Sequence, residues 1–277
     1  MLSSAVIVFR EVLEAALIIS IVMAATRGLL NRGWWVVAGI LAGLGGAIAV
    51  AISAEHIAAS FEGMGQETFN AIVLLLAVLM LAWHNIWMAQ HGKELSARMT
   101  AIGNNVSIGE APMYALTFAI SMAVLREGSE VVLFLSGISA SGQDASNLIG
   151  GSLLGIGTGT LAGYFLYTGL VQIPLKQFFN ATSWMILLLA AGLSAGAAGF
   201  LEQAGWVPAL AYDVWDTSSV LSEKSIAGQL LHTLIGYQEK PSGIQLVFYF
   251  VTLVVTYLLM QFIGSRNSIP SKNTAVI

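Results

Sequence analysis

The chain contains no cysteine, and only 9% of its 277 residues are charged. The first absence excludes disulfides, thiolate metal ligands and a cysteine nucleophile, and leaves the redox compartment open. The second excludes an ordinary soluble enzyme, in which about 25% of residues would be charged. It also excludes a basic nucleic-acid-binding face and a disordered chain, which needs high charge and low hydropathy. The net charge of −4 is too small to select a partner. What the chain has instead is 57% hydrophobic residues and a mean hydropathy of +0.80. The apolar runs are unbroken, whereas outer-membrane strands alternate polar and apolar residues. The expectation is an all-α polytopic membrane protein. Arg10 lies inside the first apolar run, with no basic stretch before it and no clean small-residue cleavage site after it. That run reads as a membrane span and not as a signal peptide.

Seven runs qualify: Leu2–Ala25, Trp34–Ala54, Phe69–Ala89, Met113–Leu135, Leu148–Leu170, Ala181–Phe200 and Ile244–Ile263. Each is long enough to cross a hydrocarbon core of about 30 Å as a helix. Gly39 with Gly43, Gly155 with Gly159 and Gly163, and Gly192 with Gly196 recur at four-residue spacing, which lets helices approach closely in lipid. Arg27 and Arg32, Lys93 and Arg98, Lys176, and Arg266 and Lys272 all follow odd-numbered spans. The loops after spans two and four hold no basic residue, and Lys224 and Lys240 lie in a long segment at 201–243. The positive-inside rule then puts the N-terminus outside and the C-terminus in the cytoplasm.

The chain also repeats itself. Arg10-Glu11-Val12-Leu13-Glu14 lies in span one and Arg126-Glu127-Gly128-Ser129-Glu130 in span four. Phe69-Asn70-Ala71 opens span three as Phe179-Asn180-Ala181 opens span six. The reading is a single transmembrane domain over 1–277. A unit at about 2–89 is repeated upside down at about 113–200, and the last helix, 244–263, stands outside the repeat. Inverted repeats of this kind are a transporter architecture, with the site near the midplane.

Six ionisable groups in two membrane spans are costly, at roughly 2.5–3.5 kcal/mol each on insertion scales. In R-E-x-x-E the arginine and the second glutamate are four apart and the two glutamates three apart, so all three share one helix side. If the two helices face each other, Glu11, Glu14, Glu127 and Glu130 are candidate metal ligands, with Arg10 and Arg126 as supporting charge. Two guanidinium groups against four carboxylates leave a formal −2. All-oxygen ligands suit hard cations, and glutamates on facing helices also build di-iron sites. Two readings without metal compete: ion pairs that merely pin two helices together, and a proton relay.

Two such motifs in spans one and four of a seven-span chain resemble the oxidase-coupled high-affinity iron permeases of fungi and bacteria. The resemblance covers nearly the whole chain. Ser218-Ser219-Val220-Leu221-Ser222 and Gly236-Tyr237-Gln238-Glu239-Lys240-Pro241-Ser242 are similar to the long outer loop of the bacterial inner-membrane branch. Glu67, Trp83, Trp87-Met88 and Glu202 stand where that branch has similar residues. The family motif is R-E-G-L-E, and this chain departs from it at Val12 and Ser129. The resemblance implies uptake of iron across the inner membrane, as Fe³⁺ delivered by extracytoplasmic iron-oxidising and iron-delivering partners. Iron is then substrate and not resident cofactor, with no nucleic-acid partner and no enzymatic activity. Some relatives are linked to other metals, including lead. The alternatives are a permease or proton exchanger for such a divalent metal and, from another class, an intramembrane carboxylate metalloenzyme.

Other features weigh less. His84 stands in span three between Trp83 and Trp87. It reads either as a packed histidine beside an aromatic belt or as an exit-path ligand or proton acceptor. Glu67, Glu202 and Asp216 are candidates for a path at the outer mouth, where acids draw in cations. Gly192-Leu193-Ser194-Ala195-Gly196 matches a nucleophile elbow but lies in an apolar helix with no nearby base, so it reads as packing. The segment at 201–243 reads as either a solvated loop or a short interfacial helix packed on the outer face.

Overall fold

The computed structural model describes residues 1–59, 65–140, 142, 144–169, 175–223 and 225–266. Lys224 and Lys272, counted for the orientation, lie outside the described residues. The described residues form eight helices and no strand: α1 Leu2–Ala25, α2 Arg32–Ala59, α3 Gln66–Ser107, α4 Tyr114–Ala140, α5 Ala145–Thr168, α6 Leu175–Gln203, α7 Ile226–Ile235 and α8 Gly243–Arg266. Five contain stretches long and apolar enough to cross a membrane: Arg32–Ala54, Gln66–Met88, Ala145–Thr168, Ser183–Gln203 and Gly243–Phe262. Helices α1 and α4, of 24 and 27 residues, are long enough but carry the charged motifs, which take them out of that set.

Helix α1 packs chiefly on α5, α2 on α4, and α3 on α6, while α1, α3 and α4 meet one another at the centre. The glycine spacing explains the first two pairs. Gly151, Gly155, Gly159 and Gly163 are the buried stripe of α5, and a Cβ on Gly155 would lie 2.7 Å from Ala5 O on α1. On α2, a Cβ on Gly43 would lie 2.6 Å from Val124 Cβ of α4. Backbones this close gain dispersion contacts that lipid cannot supply. Val12, the first departure from the family motif, fills the space that Gly159 leaves open. Ser129, the second, donates its hydroxyl to Leu125 O at 2.6 Å within its own helix.

Two expectations need correction. Lys93 and Arg98 are not in a loop: α3 runs on for 42 residues, about 63 Å at 1.5 Å per residue. Its second half is polar on one side, with Arg98 paired to Glu94 at 2.6 Å. Its other side packs Met99, Ile102 and Val106 against Val22, Val36 and Leu116. The segment at 201–243 is not a simple solvated loop either. Ser225 caps α7 by accepting from Gly228 N at 3.0 Å, and Gly236 ends it at φ 70°. Gly236 packs against Gly192, which is about 16 Å from the C-terminal end of α6 at 1.5 Å per residue. The facing glycines let this turn settle into the bundle where side chains would have held it at the surface. The Gly192–Gly196 segment is thereby accounted for as packing.

Two buried apolar clusters fix the middle of the molecule. One contains Ile7, Leu74, Phe134 and Ile138; the other contains Val22, Leu116, Ile120 and Val124. On α1 the motif lies between Ile7 and Val22, and on α4 between Val124 and Phe134. The charged residues thus occupy a polar layer between two apolar ones.

Candidate metal-binding site

Helices α1, α3 and α4 each contribute to that layer. Arg10, Glu11 and Glu14 are at most 2% exposed, as is Glu127. Arg10 holds two carboxylates on its own helix, with Nη1 3.0 Å from Glu11 Oε1 and Nη2 2.9 Å from Glu14 Oε1. A planar guanidinium can do this because its donors are held in a fixed fork. Arg126 is placed differently. Its side chain is 30% exposed, its Nε lies 3.1 Å from Glu130 Oε1, and its guanidinium sits 4.1 Å above the Trp87 ring.

The third helix brings His84. It is 3% exposed, with Nε2 3.9 Å from Glu11 Oε2 and 3.8 Å from Glu14 Oε2. Its Nδ1 contacts Glu130 Oε2. Phe134 meets the imidazole edge-on at a centroid distance of 6.4 Å. The neighbouring Asn85 donates to Ser183 O at 3.0 Å, tying this turn of α3 to α6. Ligand atoms of Glu11, His84, Glu127 and Glu130 all lie within 4.8 Å of one another, close enough to share one ion. Glu14 stands beside this set.

Part of the cluster has no partner among its neighbours. Glu11 Oε2, Glu14 Oε2, both oxygens of Glu127 and Nε2 of His84 are buried without a hydrogen-bond partner. Each such group costs about 1–3 kcal/mol, and more when charged. Glu127 is the clearest case, since its nearest guanidinium contact is 3.9 Å away. A cation among these atoms would satisfy them together.

The residues expected along an outer path lie apart from this set. Glu67 is exposed in the first turn of α3. Glu202 accepts from Ser242 Oγ at 2.6 Å and so ties α6 to the start of α8. Asp216 is exposed and pairs with Lys240 at 2.9 Å; the Ser218 hydroxyl and Lys240 hold its carboxyl down to about 2. Trp83 is 71% exposed, whereas Trp87 faces Arg126. What the sequence reading did not foresee is that α3 enters the centre. The available signal was that His84 is the only histidine inside an apolar run.

Known proteins are similar to this chain over nearly its whole length. The Ferrous iron permease EfeU of Escherichia coli O6:H1 is 34% identical over 271 residues, covering 95% of this chain and 97% of that protein. The Ferrous iron permease EfeU of Yersinia pestis is 34% identical over 269 residues, covering 95% and 93%. A third relative, from Escherichia coli K12, is 33% identical over 254 residues, covering 90% and 91%, and has the word inactive in its name. No solved structure matches the chain. The profile of the Iron permease FTR1 family matches residues 1–264, and the chain belongs to that family.

Proposed function

We propose that this chain carries iron across the inner membrane through the cluster of Glu11, Glu14, Glu127 and Glu130. The observation that carries the reading is the surplus of buried, unpaired carboxylate oxygens supplied jointly by α1 and α4. In the empty site Arg10 and Arg126 offset part of the negative charge. When the ion arrives, Glu130 turns from Arg126 toward it, and the Trp87 face keeps the guanidinium seated by cation–π attraction. Iron is cargo here and not a resident cofactor.

The finer architecture belongs to the same proposal. Helices α1 and α4 count as spans with the five apolar ones, giving seven, with α7 set into the bundle. The pairing of α1 with α5 and of α4 with α2 supports an inverted repeat, since exchanging the two units exchanges those pairs. The N-terminus faces outward and the C-terminus the cytoplasm. A single cysteine at Ala97, exposed on α3, would then be shielded in intact cells from an impermeant reagent; labelling from outside would reverse the orientation.

The resemblance points to Fe³⁺ handed over after oxidation by an outer partner. A specific observation favours Fe²⁺ as a second reading. The cluster's formal −2 is neutralised by a divalent ion, and the relatives are named for ferrous iron. Uptake into proteoliposomes decides between them, comparing Fe³⁺, Fe²⁺ and Pb²⁺ with and without a pH gradient. Iron uptake that Glu127→Gln abolishes is the expected result. Faster Pb²⁺ than iron uptake would move the chain to the divalent-metal alternative, and turnover of a lipid or peptide would revive the metalloenzyme.

A further inference from the structure

We propose that His84 is a direct ligand of the transported ion and makes the site prefer transition-metal ions to Mg²⁺ and Ca²⁺; this rests on the iron-permease reading of the same site. Three observations carry it. First, a histidine packed in an apolar core normally has its ring nitrogens hydrogen-bonded, because burying them unpaired is costly. Here Nε2 lacks a hydrogen-bond partner in a residue only 3% exposed, while Nδ1 contacts the Glu130 carboxylate. Second, the ring bridges the two motifs: Nε2 faces Glu11 and Glu14 of α1, and Nδ1 faces Glu130 of α4. The 3.8 and 3.9 Å separations on the α1 side are too long for hydrogen bonds. Two ligands each about 2.1 Å from one ion are separated by between about 3.0 and 4.2 Å as their angle opens from a right angle to a straight line. Third, the ring is held in place. Phe134 packs on its edge, and Asn85 anchors the same turn of α3 to α6.

The chemistry gives this position a consequence. Carboxylates alone accept Mg²⁺ and Ca²⁺ readily, whereas imidazole suits iron and its neighbours. Among the described residues grouped at the site, His84 supplies the only nitrogen ligand atom. Glu14 then acts as a positioning residue: Arg10 engages its Oε1, and its Oε2 faces His84 Nε2.

The test uses the full chain. Co²⁺ binding is measured by equilibrium dialysis of detergent-purified protein, and Fe²⁺ uptake in anaerobic proteoliposomes. Wild type is compared with His84→Gln, His84→Asp and Glu127→Gln. We expect His84→Gln to weaken Co²⁺ binding by about 100-fold or more, since loss of a group that merely orients a ligand already costs about 10–100-fold. His84→Asp should recover binding but lose most of the discrimination against Mg²⁺. If His84→Gln binds Co²⁺ as wild type does and excludes Mg²⁺ as well, while Glu127→Gln loses both binding and uptake, the inference falls and the iron reading stands. If wild type takes up no iron, both fall. Should neither His84 variant fold, competition on wild type decides. Mg²⁺ or Ca²⁺ in 100-fold excess should fail to displace Co²⁺, and displacement overturns the proposal.

Discussion

Replacing Arg10 should damage the protein far more than replacing Arg126, although the two residues hold equivalent places in the repeated motif. Arg10 is 2% exposed and compensates Glu11 and Glu14, both equally buried. Arg10→Ala leaves two carboxylates facing a cavity, and removing one partner of a buried ion pair costs about 3–5 kcal/mol. Arg126 is 30% exposed, touches Glu130 at 3.1 Å and rests on Trp87. Its partly solvated pair and cation–π contact support a smaller loss, about 1–2 kcal/mol. Arg10→Lys should recover only part of the stability, since an ammonium lacks the fork that reaches both carboxylates. Thermal unfolding in detergent, with and without a transition-metal ion, reads the difference. For Arg10→Ala the midpoint should drop on the order of 10 °C, and bound metal should restore part of it by occupying the uncompensated carboxylates. Equal midpoints for Arg10→Ala and wild type without metal would refute the reasoning, because a buried pair of carboxylates would then be stable with no counter-charge.

Three further outcomes follow from the geometry. Glu11→Gln and Glu127→Gln should each abolish iron uptake while the protein still reaches the membrane, and the double variant should be no worse than either single, because the ligands act as a unit; uptake normalised to membrane protein measures this. Gly155→Leu should destabilise by about 1–3 kcal/mol or more through overpacking against the α1 backbone, while Gly157→Leu, with no neighbour within 4 Å, should be tolerated; yields of monodisperse protein compare them. In the segment at 201–243, Glu223 raises the His232 pKa above its ordinary 6.5 and His232 lowers that of Glu223 below its ordinary 4.5, across a 3.4 Å contact. The raised histidine stabilises at pH below its ordinary value and loses this as pH rises through its folded one; the lowered glutamate stabilises above its ordinary value and loses this as pH falls through its folded one. Proteolysis around α7 should therefore be slowest between about pH 4.5 and 6.5.

The polar layer was legible because its cost is written locally. Charge within an apolar run needs no tertiary knowledge to be recognised, and R-E-x-x-E spacing puts three side chains on one helix side by geometry alone. The glycine stripes were legible for the same reason, but their partners were not: nothing in Gly155 says that it faces Ala5 and not some other helix. The length of α3 escaped because a span is recognised by where hydropathy stops, and hydropathy stops near Met88 while the helix does not. The polar remainder stays helical because one side of it still packs on Val22 and Leu116.

His84 shows the sharper limit. Its sequence neighbours, Trp83 and Trp87, suggest an aromatic belt, and both readings of the histidine followed from them. The structure sends the two tryptophans to different environments, one 71% exposed and the other under Arg126. Residues 83, 84 and 87 share one side of the helix, yet their surroundings differ: Trp83 is exposed, His84 is buried among the motif carboxylates, and Trp87 lies under Arg126. A cluster assembled from three helices has no sequence spacing of its own. Two of those helices are marked by motifs that repeat. The third enters because α3 packs against both motif helices, and the unpaired Nε2 at the point of contact distinguishes His84 from an ordinary core residue.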